Sequence, residues 1–415
     1  MKPVLPRAFR WFWAGEAVSG FGTWITFLAL QVIIVDHLHA GTVGLGWMNA
    51  ARWLPYLLFG LILGALIDRV RRRPVMIASD LLRALLLCAI PALWALGLLS
   101  LVPLLLIVAI LGTATLVNDS ASQAFVPRLV PVGGLQAAHA RIDGTNAVAQ
   151  TAGPALGGGL LAVIVAPVAV SVNVVTYLFS AVVVSLIRVD EPRSSRTEDS
   201  VRPNLRREIW AGLKWVYLTP SLRDLAVWTH VWFGAQAILA AVSADYFLGA
   251  IGIDALWFGI VMAGGGLGGI IGALISPRAG EKLGSGRVVI FAHLCSAAGA
   301  LILFAATPLA GQLHGEMSSV VVLFAGVGLH GFAIGLSNSH EMAYRQSITP
   351  DAFQARTNTT MRSMNRAVIV VASPLAGIFA ALTSTQLMLV IAAVIFALSA
   401  IGLWFSPFRT ARIGT

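Results

Sequence analysis

Charged residues are scarce in this sequence. Asp, Glu, Lys and Arg together make up only 11% of its 415 residues, whereas a soluble globular protein has about 25%. Hydrophobic residues account for 58%, and the mean hydropathy is +0.84. A chain of this composition would leave too much apolar surface in water to be a soluble globule. The sequence therefore predicts an integral membrane protein.

Cysteine and lysine are also rare. The 2 cysteines, Cys88 and Cys295, both lie inside apolar runs, which excludes a disulfide framework. The net charge of +10 comes almost entirely from arginines in short segments between apolar runs. This distribution does not indicate a nucleic-acid-binding surface. No nucleophile–base set, phosphate-binding loop or metal-ligand spacing occurs, so the sequence predicts neither an enzyme nor a receptor, and no cofactor or metal.

Twelve apolar runs are each long enough to cross a bilayer, which takes about 20 residues. We number the predicted helices 1 to 12 in the order of these runs, which cover residues 10–35, 44–68, 75–98, 101–124, 139–165, 166–187, 221–248, 254–276, 287–308, 317–341, 356–382 and 386–406. Lys and Arg are absent from every second connection and abundant in the others and near both termini. Because basic loops stay in the cytoplasm, both termini are predicted to be cytoplasmic.

The longest connection, residues 188–220, divides the chain into two halves. We predict an N-terminal six-helix bundle over residues 1–187, a cytoplasmic linker over 188–220 and a C-terminal six-helix bundle over 221–415. Part of the linker, residues 205–215, has an amphipathic pattern. Such a segment is predicted to lie along the inner face of the membrane.

The two halves echo each other in sequence. The tetrapeptide Gly64-Ala65-Leu66-Ile67, at the predicted end of helix 2, recurs as Gly272-Ala273-Leu274-Ile275 at the predicted end of helix 8. Gly153-Pro154 in helix 5 likewise corresponds to Ser373-Pro374 in helix 11. Parallel six-helix repeats are typical of secondary transporters, which bind substrate near the bilayer midplane between the repeats. The predicted fold is therefore all-α, with twelve transmembrane helices in two pseudo-symmetric six-helix bundles.

Two motifs carry a resemblance to a known family. The basic turn after helix 2 contains Gly64, Asp68, Arg69, Arg72 and Arg73, and helix 5 carries Gly153-Pro154-Ala155-Leu156-Gly157-Gly158. They resemble the loop 2–3 signature and the antiporter signature of the major facilitator superfamily, although Arg71, Ala140 and Ala149 stand where glycine is usual. Further matches, such as Arg52 with Pro55 and Gln354-Ala355-Arg356, are similar to the drug-efflux branch that includes macrolide exporters and the enterobactin exporter.

The resemblance implies a monomeric secondary transporter in the bacterial cytoplasmic membrane. It implies export of a small, largely apolar compound, usually driven by proton entry, with alternating access to the two sides of the bilayer. A lipid or lysolipid transporter and a siderophore exporter are the alternatives within the superfamily. A requirement for membrane potential without proton dependence would favour the lipid transporter.

Ionised groups inside the predicted helices need an explanation, because each costs about 2.5–3.5 kcal/mol at a helix centre. Glu16 lies about two turns into helix 1 in apolar surroundings, where a carboxyl group suits a carrier that binds and releases protons. The alternative is a helix-end residue solvated from the cytoplasm. Asp119 in helix 4 is the second proton-coupling candidate, or else part of a structural ion pair.

A buried polar network is also predicted. Arg52 in helix 2 and Asp80 with Arg83 in helix 3 are interpreted as ion-paired, because a base inside the membrane usually has a partner. One face of helix 5 and one of helix 11 carry polar residues at helical spacing: His139, Asp143, Asn146 and Gln150, and then Asn358, Arg362 and Asn365. A polar face towards lipid would be costly, so these faces must meet another helix or a water-filled path.

Aromatic residues are dense in helices 1 and 7, and the superfamily resemblance implies that helices 1, 4, 7 and 10 line the cavity. Ligand pockets are mostly apolar, with few orienting polar groups. The substrate-cavity candidates are Trp24, Phe27, Asn118, Trp232, Gln236, His330 and Asn338. Several of the aromatics could instead face lipid.

The basic turn leads to a first testable prediction. The arginines alone would serve as a positive-inside anchor, but an anchor does not need Asp68. In the superfamily this aspartate engages the start of helix 11 in one of two states, which agrees with the attraction of an anion to a helix N-terminus. Asp68→Asn is therefore expected to lower efflux from cells while membrane levels stay normal. Efflux by the variant at the wild-type rate would rule out this latch.

Overall fold

The computed structural model describes residues 5–67, 70–189, 205–310 and 316–412, and all regular secondary structure in this part of the chain is helical. Its twelve long helices are helix 1 (Arg7–Val32), helix 2 (Gly41–Ile67), helix 3 (Arg72–Ala95), helix 4 (Leu101–Leu129), helix 5 (Leu135–Leu161), helix 6 (Ser171–Leu186), helix 7 (Pro220–Asp245), helix 8 (Ala255–Leu283), helix 9 (Ser285–Ala310), helix 10 (Glu316–Ile348), helix 11 (Asp351–Leu382) and helix 12 (Thr385–Trp404). The predicted all-α membrane class is confirmed.

Several shorter elements accompany these helices. π-Helical turns, Ile33–His37 and Tyr246–Ile251, prolong helices 1 and 7, a single turn precedes helix 6 at Ala166–Ala169, and a linker helix runs over Leu205–Leu218. Within the described residues, ten helical segments are long and apolar enough to cross a membrane. Helices 2 and 5 are not among these ten, and helix 5 is one of the two helices with a polar face.

Helix 8 is longer than its apolar run predicted. It continues to Leu283, so Gly272-Ala273-Leu274-Ile275 lies inside the helix and does not close it. Helix 10 similarly extends to Ile348. Hydropathy reports where a helix leaves the apolar layer, whereas backbone hydrogen bonding continues as long as the following residues tolerate helical geometry.

The chain forms two compact units. The first comprises residues 1–39 and 51–198, and the second comprises 40–50 and 199–415. The beginning of helix 2 thus packs with the second unit, where the Thr42 hydroxyl donates to the Gly377 carbonyl at 2.8 Å and the Asn49 amide donates to the Ala240 carbonyl at 3.0 Å.

An aromatic core fills one end of the first unit. Phe9 and Phe12 of helix 1 are fully buried, and the ring of Phe12 meets Phe125 of helix 4 edge-on, with 5.9 Å between centroids. At the same end, Arg73 donates from Nε to the Val184 carbonyl at 3.1 Å and from Nη2 to the Ser185 carbonyl. These bonds satisfy carbonyls in the last turn of helix 6, which have no partner within their own helix.

In the second unit, helices 8 and 10 are in backbone contact. A Cβ atom added to Gly268 would overlap the carbonyl oxygen of Gly328, and one added to Gly331 would overlap that of Gly265. Glycines permit this approach, and in lipid such close packing replaces the hydrophobic driving force that associates helices in water.

The linker helix packs on helix 11. The rings of Trp215 and Phe353 lie 5.2 Å apart, and Val216 is buried in a cluster with Met361. Trp210 on the same helix is 60% exposed, as expected for an amphipathic helix at a membrane surface.

Candidate functional site

The first unit holds a buried ion pair. Arg83 and Asp80, one turn apart on helix 3, form a salt bridge, and their side chains are only 6% and 0% exposed. Asn118 of helix 4 donates from Nδ2 to Asp80 Oδ1 at 3.2 Å. A buried charge is tolerated only when it is paired and hydrogen-bonded, and for Asp80 both interactions are made through Oδ1.

Aromatic rings extend this network to helices 1 and 6. The Arg83 guanidinium lies 4.2 Å from the ring centroid of Tyr177, close enough for a cation–π interaction. The Tyr177 hydroxyl lies 3.2 Å from the Thr23 hydroxyl of helix 1. Arg83 of helix 3 thus contacts Tyr177 of helix 6, and Tyr177 in turn contacts Thr23 of helix 1.

Glu16 lies beside this network. It is partly buried, lies near Ser122, and is within electrostatic range of Arg83, Asp80 and Asp119. Asp119 accepts a hydrogen bond from the Tyr56 hydroxyl at 2.8 Å and is exposed. Both proton-coupling candidates therefore lie in the same cluster of charges, although they come from different helices.

The cluster has a further base in helix 2. The Arg52 guanidinium lies 4.4 Å from the ring centroid of Phe27 and within electrostatic range of Asp119. Among the described residues, the cluster thus combines three carboxyl groups with two guanidinium groups. Bound protons can neutralise the excess of acid where water is scarce, so such a cluster can take up and release a proton.

An aromatic and histidine cluster occupies the second unit. Trp232 of helix 7 stacks on His330 of helix 10, with 5.8 Å between ring centroids and 13° between planes, and on His293 of helix 9 at 6.0 Å and 30°. Its indole N–H donates to Ser296 Oγ at 3.3 Å. The Nε2 atom of His330 lies 2.6 Å from Gln236 Oε1, and Nε2 donates because the amide oxygen can only accept.

A pocket of about 210 Å³ opens beside Trp232. Helices 7 and 10 line it with Thr229, Trp232, Phe233, Gln236, Ile334, Ser337, Asn338 and Glu341. An aromatic and aliphatic wall with a few polar groups is the usual composition of a small-molecule site.

Glu341 is the charged residue of this lining. Its Oε2 atom accepts from the Thr229 hydroxyl at 3.4 Å, and its Oε1 atom lies 3.9 Å from His293 Nε2. His293 is held on its other side by Ser399, with 2.9 Å between Nδ1 and Oγ. The Glu341 side chain is 18% exposed, so the carboxylate is accessible from the pocket.

Almost the whole chain matches one known protein family. The family model described as a transmembrane secretion effector, one of the major facilitator models, matches residues 1–412. The chain belongs to this family. The predicted membership of the major facilitator superfamily is thereby confirmed, and the members of this family are transporters and not enzymes.

Relatives of this chain include named efflux proteins. Macrolide efflux protein A of Streptococcus pyogenes is 27% identical over 271 residues, which cover 62% of this chain and 65% of that protein. The multidrug efflux pump Tap of Mycolicibacterium fortuitum is 26% identical over 265 residues, covering 62% and 63% of the two chains. The matched region is thus slightly less than two thirds of these relatives' own length.

Solved structures confirm the fold of this chain. A bacterial homologue of the iron transporter ferroportin, in its inward-facing state, superposes with a TM-score of 0.73 at 13% identity, over 97% of this chain and 99% of that one. The nucleoside transporter NupG gives a TM-score of 0.72 at 12% identity, over 96% and 99%. At these identities the likeness concerns the fold alone.

Some residues of the predicted buried polar network are exposed in the structure. Asp143, Asn146 and Gln150 of helix 5 and Arg362 of helix 11 are exposed, which corrects their assignment to a buried network. Gly153 and Gly157 continue the same face at helical spacing, and there helix 5 packs on helix 1. Asn146 approaches Gly20 of helix 1, but the side chains of Asp143, Asn146 and Gln150 stay exposed. The buried part of the network consists of Asp80, Arg83 and Asn118, and Arg52 is partly buried.

The antiporter-like motif of helix 5 forms a contact with helix 1. Gly153, Pro154, Gly157 and Gly158 are all buried in helix 5. A Cβ atom on Gly153 would lie 2.6 Å from the Cβ atom of Trp24 on helix 1. Trp24 therefore packs on the motif. In the turn before helix 3, Asp68 and Arg69 lie outside the described residues, whereas Gly64 lies in helix 2 and Arg72 begins helix 3.

The substrate-cavity candidates separate into two groups. Trp232, Gln236 and Asn338 line the pocket of the second unit, and His330 holds Gln236 from behind. Asn118 instead belongs to the ion-pair network, and Phe27 lies under Arg52.

Glu341 was not predicted from the sequence, nor were Thr229 and Ser337. The signal was present in the helical spacing: Ile334, Asn338 and Glu341 recur at intervals of four and three on helix 10, which places them on one face.

Proposed function

We propose that this protein exports a small, largely apolar compound across the bacterial cytoplasmic membrane in exchange for protons. It works by alternating access as a monomer, with both termini in the cytoplasm. Support for the substrate class comes from the aromatic pocket around Trp232 and Phe233, which offers apolar faces and few polar groups. The names of the efflux relatives point in the same direction.

The observation that carries proton coupling is the acid-rich cluster around Glu16. A partly buried carboxyl group that shares one guanidinium, Arg83, with Asp80 and Asp119 is placed to gain and lose a proton. Glu16 itself lies on helix 1, and the cluster also takes in helices 3 and 4. A change in its protonation therefore alters the charge balance among three helices, which is how a proton can bias two conformations.

Glu16→Gln tests this proposal. The amide keeps the size and hydrogen-bonding ability of the side chain but cannot carry a proton. In proteoliposomes with an imposed pH gradient, we expect the variant to lose gradient-driven accumulation of substrate while it still exchanges labelled substrate across the membrane. The second candidate, Asp119→Asn, is expected to have a smaller effect, because Asp119 is exposed to water.

Asp36→Asn is the matched control. Asp36 lies at the other end of the same membrane segment and is exposed, so its substitution should leave the pH dependence of transport unchanged. Wild-type pH dependence in Glu16→Gln would contradict the role given to Glu16. Transport by the wild type that requires membrane potential but no proton gradient would contradict proton exchange and indicate a lipid or lysolipid transporter.

A further inference from the structure

We infer that the pocket beside Trp232 selects protonated amines, and that Glu341 is the residue that recognises their charge. The inference rests on the proposed export function and specifies its substrate class. It assigns a role in specificity to an acid that lies in a different unit from the proton-coupling candidates.

The composition of the pocket is the first observation. Of the eight lining residues, Glu341 carries a charge, and the others offer rings, one aliphatic chain, hydroxyls and amides. Trp232 and Phe233 meet edge-on, with 5.2 Å between centroids. Aromatic faces attract cations and repel anions. A ligand with a flat apolar body and a cationic end therefore matches both parts of the lining.

The contacts of Glu341 are the second observation. Charge-assisted hydrogen bonds to carboxylates are about 2.7–2.9 Å long, whereas Thr229 and His293 lie 3.4 and 3.9 Å from its oxygens. A carboxylate has about four acceptor positions. The distances leave room for closer donors, and an ammonium group of a bound ligand supplies up to three.

The surrounding charges are compatible with this role. Arg345, one turn further along helix 10, interacts electrostatically with Glu341 and with Arg362 but is not part of the pocket lining. His293 does not line the pocket either and is engaged by Ser399. Glu341 is therefore the charged group that the pocket lining offers to a ligand.

Trp232 and Gln236 are held in place by neighbouring side chains. The indole is fixed by the hydrogen bond to Ser296 and by two stacked imidazoles, and the amide is fixed by His330. A site whose side chains are already ordered loses less conformational entropy on binding. The same arrangement fixes the distance between the apolar wall and the carboxylate, which favours ligands whose amine lies close to a ring.

Three naphthalene compounds test the inference: naphthylmethylamine, its N-acetyl amide and naphthylacetic acid. They share one apolar body and differ in charge. Binding to the purified full-length protein in nanodiscs is measured by equilibrium dialysis. The wild type should bind the amine at least about tenfold more tightly than the amide or the acid, and Glu341→Gln should remove that preference, since a hydrogen bond to a charged group contributes about this factor.

Three further variants distinguish recognition of the charge from a general loss of binding. Glu281→Gln removes an exposed acid of helix 8 that does not line the pocket and should leave all three affinities unchanged. Trp232→Leu should weaken all three compounds, because it removes the shared apolar contact. Glu341→Asp should keep part of the preference for the amine.

The outcomes are distinguishable. Equal loss of all three compounds in Glu341→Gln, or tighter binding of the acid by the wild type, would overturn the role of Glu341. Transport is measured separately with the amine in proteoliposomes. Selective binding without gradient-driven transport would contradict the proposed export function and leave the binding inference standing.

Discussion

Gly268→Leu is expected to prevent the second unit from folding. Even a single methyl group at Gly268 would overlap the carbonyl oxygen of Gly328, and the obstacle is backbone, which cannot rotate away as a side chain can. Helices 8 and 10 would have to separate along their shared face, which also holds Gly272 and Gly335. Overpacking costs about 1–3 kcal/mol and more where the neighbour is rigid. We expect little monodisperse protein after detergent extraction.

Gly268→Ala and Gly269→Ala form a matched pair for this prediction. Both exchange a glycine for alanine in the same helix, so the intrinsic gain in helix propensity, up to about 1 kcal/mol, is equal. A Cβ atom on Gly269 would lie 3.6 Å from the Gly331 oxygen, an ordinary contact. Only Gly268→Ala should lower the midpoint of thermal unfolding. Equal midpoints for the two variants would contradict the close approach of helices 8 and 10.

Arg83→Met is expected to have the second largest effect. It leaves the fully buried carboxylate of Asp80 without its cation, and removing one partner of a buried ion pair costs about 3–5 kcal/mol. Glu16 and Asp119 also lose a cation within electrostatic range. The thermal midpoint of the purified protein should fall clearly below that of the wild type.

A double variant distinguishes the ion pair from simple packing. Asp80→Leu combined with Arg83→Met removes both charges, and because apolar replacement of a buried pair is often neutral, it should recover most of the lost stability. Arg223→Met is the surface control. Arg223 also pairs with an aspartate, Asp224, at 2.9 Å, but its side chain is 51% exposed, so the loss should stay below about 1 kcal/mol. A double variant no more stable than Arg83→Met would argue that the pair is not the source of the effect.

The sequence predicted which polar residues lie close together on a helix better than it predicted whether those residues are buried. Asp80 and Arg83, three apart on one helix, formed a pair that helical spacing alone could suggest. Asp143, Asn146 and Gln150 also lie on one helical face, yet their side chains are exposed. Periodicity shows that residues share a face, but the neighbour that covers the face comes from elsewhere in the chain.

The ends of the helices were also predicted only in part from the sequence. The loss of apolar character after Ile275 marked a boundary of the membrane layer, while helix 8 itself continued to Leu283. Glu341 was missed for a related reason, since it lies past the centre of the apolar run of helix 10. Its place in the pocket depends on its neighbours Trp232 and His293, which precede it in the chain by about 109 and 48 residues.

The sequence by itself determined that this is a helical membrane protein of the major facilitator superfamily, because hydropathy, the distribution of arginine and two local motifs are properties of contiguous residues. Only the tertiary structure decided which polar groups meet. The ion pair of Asp80 and Arg83 is completed by Asn118 from another helix, and the pocket that Glu341 lines is built from two helices far apart in the chain. Such contacts depend on how helices pack, and packing is set by the shapes of both surfaces together.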